Sequence, residues 1–405
     1  MGVDSKFILR DRNVAIIFSS QLVSAVCDKM MSIGLVWYIT KNFSVSMVPW
    51  YLTLSFLPHL IFSFFTTELI NRFTPLRAVL FAEFFRAAVL LMFAGSIFFF
   101  NLSGTGELYG LFICTFFFGI GSSIFNPAVL SLPPQVVSAD KVTGLNALLD
   151  SSVSISTVVG AALGVVLLNY MNLTTLITLN AVSFIWAGLL QLRLKVLDQP
   201  TAESTAVESV SPRTTLKKYP AISRVLLSFL FINLAFTPIL VFIPWIVQEV
   251  YHGTSATMSA MEGAMGLGAV ASAVYYTITG MRLNGASRTR LITFVAFMFG
   301  VLFVVLTYTG NLLQGGIVLF MVGLLSAFLN IEVLSYFQTA VNEQEVPAIM
   351  TAVNLISVAS IPLSMTLTGV VFPYVNVPDF AMVCGGCTVL ISIFLPRLLQ
   401  SEHGK

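Results

Sequence analysis

Charge is what this chain has least of. Of 405 residues, 20 are Lys or Arg and 18 are Asp or Glu, so 9% are charged, against about 25% in an ordinary soluble domain. A soluble protein of this size must coat its surface with polar groups, and here there are too few. Histidine (3 residues) and cysteine (4 residues) are scarcer still. The first shortage argues against clustered metal ligands, the second against a disulfide scaffold. A net charge of +2 gives no electrostatic basis for binding nucleic acid. Nor is there a Gly-x-x-x-x-Gly-Lys-Ser loop to hold ATP phosphates. Apolar residues are plentiful, at 57% with 35 Phe. A cytosolic enzyme and a disordered chain are excluded, and an integral membrane protein is left.

The apolar runs are long and do not alternate, as in YGLFICTFFFGIGSSIFNPAVLSL and LITFVAFMFGVLFVVLTYTG. A spanning helix needs about 20 such residues, whereas a lipid-facing strand needs strict alternation. Helices are therefore predicted near 13–40, 45–70, 77–100, 109–131, 142–169 and 173–194. A second set is predicted near 221–250, 254–280, 290–309, 314–340, 347–374 and 377–399. Between the sets lies the one long polar stretch, 195–219, KVLDQPTAESTAVESVSPRTTLKKY. This predicts an all-α membrane protein of twelve helices in two pseudo-symmetric six-helix bundles, 1–194 and 220–405, around a central cavity, joined by a solvated linker.

Basic residues set the orientation. With the N-terminus inside, 17 of the 20 fall in inner segments, Lys41 falls outside, and Lys29 and Arg86 lie within helices. Both termini and the linker are thus expected on the cytoplasmic side. The polar, basic N-terminus reads as a tail, not a cleaved signal. The halves echo each other weakly: Asn126-Pro-Ala-Val-Leu-Ser131 with Asn330-Ile-Glu-Val-Leu-Ser335, and Leu145-Asn146 with Val353-Asn354. Duplicated halves around a pseudo-two-fold axis would produce this. Cys384-Gly-Gly-Cys387 has redox spacing, but inside an apolar helix with no His or acid nearby it reads as packing.

Several stretches resemble the major facilitator superfamily, in particular its drug:proton antiporter branch of macrolide efflux proteins and siderophore exporters. Gln21, Ser24, Cys27 and Asp28, followed by Trp37-Tyr38-Ile39-Thr40, resemble that branch's first helix, with Cys27 in place of its Gly. Phe81-Ala-Glu83-Phe-Phe-Arg86-Ala87 resembles the third, with Glu for Asp. Gly119-Ile-Gly121-Ser-Ser-Ile-Phe-Asn126-Pro127-Ala128 and Leu145-Asn146-Ala147 are the most specific match. Asn233, Pro238, Pro244 and the stretch from His252 through Glu262 to Gly268 resemble the seventh and eighth helices, and Pro238 and Pro244 should bend the seventh. The superfamily's gate motif, Gly-x-x-x-Asp-Arg-x-Gly-Arg-Arg, is degenerate here: Arg72 is kept, and Asn71 stands for the Asp. Val159-Gly160-Ala-Ala-Leu-Gly164 resembles the antiporter Gly-Pro-x-x-Gly-Gly signature with the Pro replaced. Gly160 and Gly164 either serve a rocking interface or simply let helices approach closely.

Charges at membrane depth are costly and therefore functional candidates. Asp28 lies about 20 Å along the first helix at ~1.5 Å per residue, where it could exchange a proton or bind substrate, or only pair with Lys29. Glu83 and Arg86, three apart, share a face and can pair, and Arg86 could also reach Asp28 or Asp150. Glu262 and Glu332 place acids in the second half, Glu332 either in the cavity or solvated near a helix end. Asp150 is a local charge or a site. Gln21, Asn126, Asn330 and Arg72 are cavity or gate candidates. His59 is read as a packing residue before a proton relay.

The resemblance implies a proton-coupled exporter of an amphipathic small molecule (a drug, macrolide-like compound or siderophore) working by alternating access. It implies a monomer in a bacterial cytoplasmic membrane. No cofactor is expected, the proton gradient being the energy source. Uptake, or lipid or siderophore movement, within the same fold stays open, because helix count does not encode direction. An intramembrane enzyme is disfavoured, since no His-x-x-x-His or Glu-x-x-His pair is present.

Overall fold

A computed structural model describes residues 10–62, 74–167, 169–196, 216–279, 285–341 and 345–399. Among the described residues there is no strand, and twelve long helices follow one another. They are α1 Arg12–Asn42, α2 Val48–Phe62, α3 Pro75–Phe100, α4 Gly104–Leu130, α5 Ala139–Leu167 and α6 Leu173–Gln191. Then come α7 Pro220–Phe236, α8 Ser255–Thr279, α9 Gly285–Thr307, α10 Leu312–Thr339, α11 Val346–Val371 and α12 Val377–Leu399. Among the described residues, eleven spans are long and apolar enough to cross a membrane. The twelfth helix, α8, is richer in Ser, Thr, Ala and Gly. In hydrocarbon every backbone polar group must be satisfied within the chain, and continuous helices achieve that.

Helix ends use local chemistry. Asp11 caps α1 by accepting from the Asn13 N–H at 3.0 Å, and Asn172 caps α6 through Thr175 at 2.8 Å. Asn311 caps α10 through Gln314 at 3.0 Å. Asn101 closes α3 in the left-handed conformation, φ 48°, a role Asn tolerates better than most residues. The seventh span is interrupted where the sequence predicted a bend. After Phe236 the chain restarts at Ile239–Trp245 and runs on as a π-helical turn, Ile246–Val250. Pro238 and Pro244 lack the N–H donors that an unbroken α-ladder would need.

The chain divides into two compact units, Met1–Ser44 with Leu54–Thr205, and Val45–Thr53 with Ala206–Lys405. In unit 1, α1 packs on α5 and α6, and α3 packs on α4 and α6. One end is sealed by Val14, Ile17, Val79, Ala128, Leu132 and Leu145. Asn13 ties that end together, donating from Nδ2 to the carbonyls of Val136 at 2.7 Å and Lys195 at 2.8 Å. Lys141 Nζ lies 2.6 Å from Asp11 Oδ2. Burial pushes the Asp11 carboxyl up, but this pair and the Asn13 N–H together hold it below the usual aspartate value.

In unit 2, α8 packs on α10, and α9 on α12. Gly300 and Gly385 face each other: a Cβ on either would come 2.7 or 2.6 Å from the other's carbonyl oxygen. Gly385 of the Cys-Gly-Gly-Cys segment thus serves close helix approach, and both cysteines are free thiols. Gly268 of α8 and Gly323 of α10 are tighter still, since a Cβ on Gly268 would strike the Phe320 carbonyl and one on Gly323 the Met265 carbonyl. Backbone cannot retreat as a side-chain tip can, so Gly268→Leu should cost about 3 kcal/mol or more. The expected readout is loss of the monodisperse peak in size-exclusion chromatography; a normal peak would contradict this packing. At the entry of α7, Glu345 accepts from Lys218 and Tyr219, each at 2.6 Å. The Lys218 hydrogen bond, then that from Tyr219, hold the Glu345 carboxyl below its ordinary value.

Candidate functional site

Unit 1 buries a charged cluster at membrane depth. It begins on α3, where the three-residue spacing brings Glu83 and Arg86 to one face, and Arg86 Nη2 donates to Glu83 Oε2 at 2.7 Å. Both are buried, at 0% and 4% exposure. The guanidinium carbon lies 4.0 Å from the Phe125 ring centroid and 4.2 Å from that of Phe184, with Phe118 at 6.0 Å. Desolvated contacts of this kind are each worth up to about 2 kcal/mol. Gly121 on α4 makes room for the stem, because a Cβ there would come 2.6 Å from Arg86 Cγ. Aromatic α4 and α6 side chains and one glycine therefore hold a cation where a bare charge would be prohibitively costly.

A polar seam runs from this cluster along α1 and α6. Asn180 Nδ2 donates to Asp28 Oδ1 at 3.2 Å and lies 3.2 Å from Met31 Sδ. Ser24 Oγ lies 3.4 Å from the Ser183 carbonyl, and Gln191 Nε2 donates to Ser20 Oγ at 3.1 Å. Ser20, Ser24, Asp28 and Met31 recur every three or four residues, as do Asn180, Ser183 and Gln191 in a wider register, so each set occupies one stripe of its helix. Arg86 and Lys29 are the cations whose charge acts on Asp28, and Asp28 and Arg86 in turn act on Glu83. His59, half-buried on α2 and tilted against Phe56, also feels Arg86. Gln21 Nε2, Glu83 Oε1, Arg86 Nε and Gln191 Oε1 are buried with no hydrogen-bond partner among the described residues. The arrangement is a caged cation paired with one buried acid, Glu83, with a second carboxylate, Asp28, held by Asn180 on the adjoining seam.

The other predicted residues are distributed differently. Gly160 of α5 is buried against α1: a Cβ would come 2.9 Å from Lys29 Cβ and 3.1 Å from the Val26 carbonyl. It lets the Lys29 stem lie along α5, and Gly164, one turn on, is also buried. Asp150 is exposed on α5. Glu332 of α10 is buried and occupied at both oxygens, by Tyr276 Oη at 2.6 Å and Arg288 Nε at 3.1 Å. Glu262 is buried on α8. Asn126 and Asn146 in unit 1, and Asn330 and Asn354 in unit 2, are all exposed. The weak sequence repeat thus marks exposed amides in each unit. Arg72, with Asn71, lies outside the described residues.

Asn180, Gln191 and the phenylalanine cage were missed in the sequence. A signal did exist: Asn180 and Gln191 are the strongest hydrogen-bonding side chains in an otherwise apolar span, three turns apart on one face. Polar residues in such a span usually bond to a neighbouring helix.

Comparison with known proteins gives one consistent picture. The family model described as Major Facilitator Superfamily matches residues 17–365. Macrolide efflux protein A of Streptococcus pyogenes is 22% identical over 397 residues, covering 94% of this chain and 95% of that protein. Among solved structures, the nucleoside transporter NupG is similar with a TM-score of 0.74 at 11% identity, over 95% of this chain and 99% of that one. A peptide transporter in complex with sulfate is similar with a TM-score of 0.70 at 13% identity, over all of both chains.

Proposed function

The chain belongs to the major facilitator superfamily, and from that premise we propose that it is a proton-coupled exporter of amphipathic small molecules. That it is a membrane transporter follows from the family. Export and proton coupling are the further steps. The likeness to a macrolide efflux protein along nearly the whole chain supports the first. What supports the second is the Glu83–Arg86 ion pair buried in unit 1, with the half-buried Asp28 on α1 within range of the Arg86 charge.

With Asp28 and Glu83 both ionised, Arg86 is shared between them while Lys29 assists Asp28. A proton arriving on Asp28 removes one claim on Arg86 and leaves the cation to Glu83. The charge balance of α1 against α3 and α6 changes by one unit in a low-dielectric setting, where such a change is felt strongly. In this reading α1 is the bistable element, and its altered pairing is the step that favours one face of the transport cycle. Residues 1–194 and 220–405 are the moving bundles and 195–219 the linker, with both termini cytoplasmic in a bacterial inner membrane. Glu332 is set aside as the proton carrier because Arg288 and Tyr276 already occupy its carboxylate.

The test uses everted membrane vesicles containing the full chain, energised by respiration, with a fluorescent amphipathic dye outside. Dye should accumulate beyond the level of vesicles lacking the chain, and a protonophore should release it. Accumulation that survives the protonophore, or none above the control, would contradict the proposal.

A further inference from the structure

Unit 2 carries a cleft of about 290 Å³ where α7, α10 and α11 meet. Its polar lining is Asn330, Asn354 and Ser357, and Phe229, Leu334 and Met350 are among its apolar walls. Among the described residues, no acid or base lines it. Glu332 is only two residues from Asn330, but two residues turn an α-helix by about 200°, and its carboxylate is held by Tyr276 and Arg288 of α8 and α9. Ser357 already donates its hydroxyl to the Val353 carbonyl at 2.9 Å, which leaves its oxygen free to accept. Both asparagines are exposed, and no hydrogen bond within the described residues uses either amide.

Their depth makes that exposure informative. Asn330 lies nine residues before the end of α10 and Asn354 eight after the start of α11, about 12–14 Å along each helix. The headgroup layer on each side is only about 5–7 Å thick. A primary amide facing lipid at that depth would leave its donors and acceptor unsatisfied. These two must therefore meet water or a ligand. A cleft with apolar walls and a few convergent polar groups is the usual form of a small-molecule site, and this volume is near the small end of that class.

We infer that this cleft is a subsite for the uncharged, hydrogen-bonding part of an amphipathic ligand. Each amide offers a donor and an acceptor, so the pair matches hydroxyl, carbonyl or amide groups. A charged group would find no counter-charge in the lining and would be bound at a desolvation cost. Met350 supplies an adaptable wall, suited to ligands of varied shape. The inference rests on the transport reading for what the ligand is for, and is independent of proton coupling.

The test measures equilibrium binding to the purified full chain, without any gradient, for two probes. Chloramphenicol is neutral and carries hydroxyl and amide groups; tetraphenylphosphonium is a cation with no hydrogen-bonding group. The double variant Asn330→Leu/Asn354→Leu should weaken chloramphenicol about tenfold and leave tetraphenylphosphonium within about twofold. Retained binding of the cation reports that the variant is folded. Should the double variant fail to fold, Asn330→Asp tests the same point. It should weaken chloramphenicol and strengthen tetraphenylphosphonium. Unchanged chloramphenicol affinity in the folded variants, an equal loss of both probes, or no chloramphenicol binding to the unaltered chain would overturn the inference. Because no gradient is used, failure here leaves proton coupling standing, and failure of coupling leaves this result standing.

Discussion

Arg86→Met is expected to cost the folded protein roughly 3–5 kcal/mol, the usual penalty for stranding one partner of a buried ion pair. The partner stranded is Glu83, fully buried and bonded to Arg86 at 2.7 Å. Gln191 lies close by, but its Nε2 is already given to Ser20. Methionine fills the phenylalanine cage with a similar stem, so the loss reports the charge and not a void. The double variant Glu83→Gln/Arg86→Met should regain most of the stability, because an uncharged pair is far cheaper to bury. Thermal unfolding in detergent, followed by size-exclusion chromatography of heated samples, reads both. A single variant as stable as the unaltered chain would show that Glu83 is not held by Arg86 alone. The double variant should nonetheless fail to couple, since Asp28 would have lost the cation it competes for.

The second large effect is expected at Asp28. Asparagine is nearly isosteric and keeps an oxygen for the Asn180 donor, so Asp28→Asn should fold normally. It cannot take up and release a proton. Gradient-driven dye accumulation should therefore fall to the level of vesicles without the chain. Binding of the neutral probe should be unchanged, because the cleft lined by Asn330 and Asn354 is in the other unit. A uniform-binding residue would show the opposite pattern, with affinity lost and driven transport kept at high substrate.

Much of this architecture is written in patterns that survive at the level of single residues. Spans of about 20 apolar residues specify helices almost without competition in hydrocarbon, so the twelve helices were legible. The interruption at Pro238 and the Glu83–Arg86 contact were legible too, because each follows from local geometry. What lay across helices was hidden. Nothing in Glu83-Phe-Phe-Arg86 says that α4 and α6 bring Phe118, Phe125 and Phe184 to the guanidinium. Gly121 belongs to the stretch with the strongest family likeness, yet its task here, clearing space for the Arg86 stem, depends on the α3–α4 approach. Glu332 illustrates the converse. Read alone it is a free acid near a helix end, but Arg288 and Tyr276, 44 and 56 residues away, turn it into an anchor. Asn354 drew notice only as an echo of Asn146, and its meaning came from the cleft it shares with Asn330.

The central claim is that substrate movement and proton movement are obligatorily linked through Asp28. The most direct measurement loads proteoliposomes holding the purified chain with a pH-sensitive dye and imposes a substrate gradient as the only driving force. Unaltered protein should move protons against the direction of substrate flow until the gradient is spent, and Asp28→Asn protein should show no proton signal. Substrate flow with no proton signal in the unaltered protein, or an equal proton signal in Asp28→Asn, would contradict it.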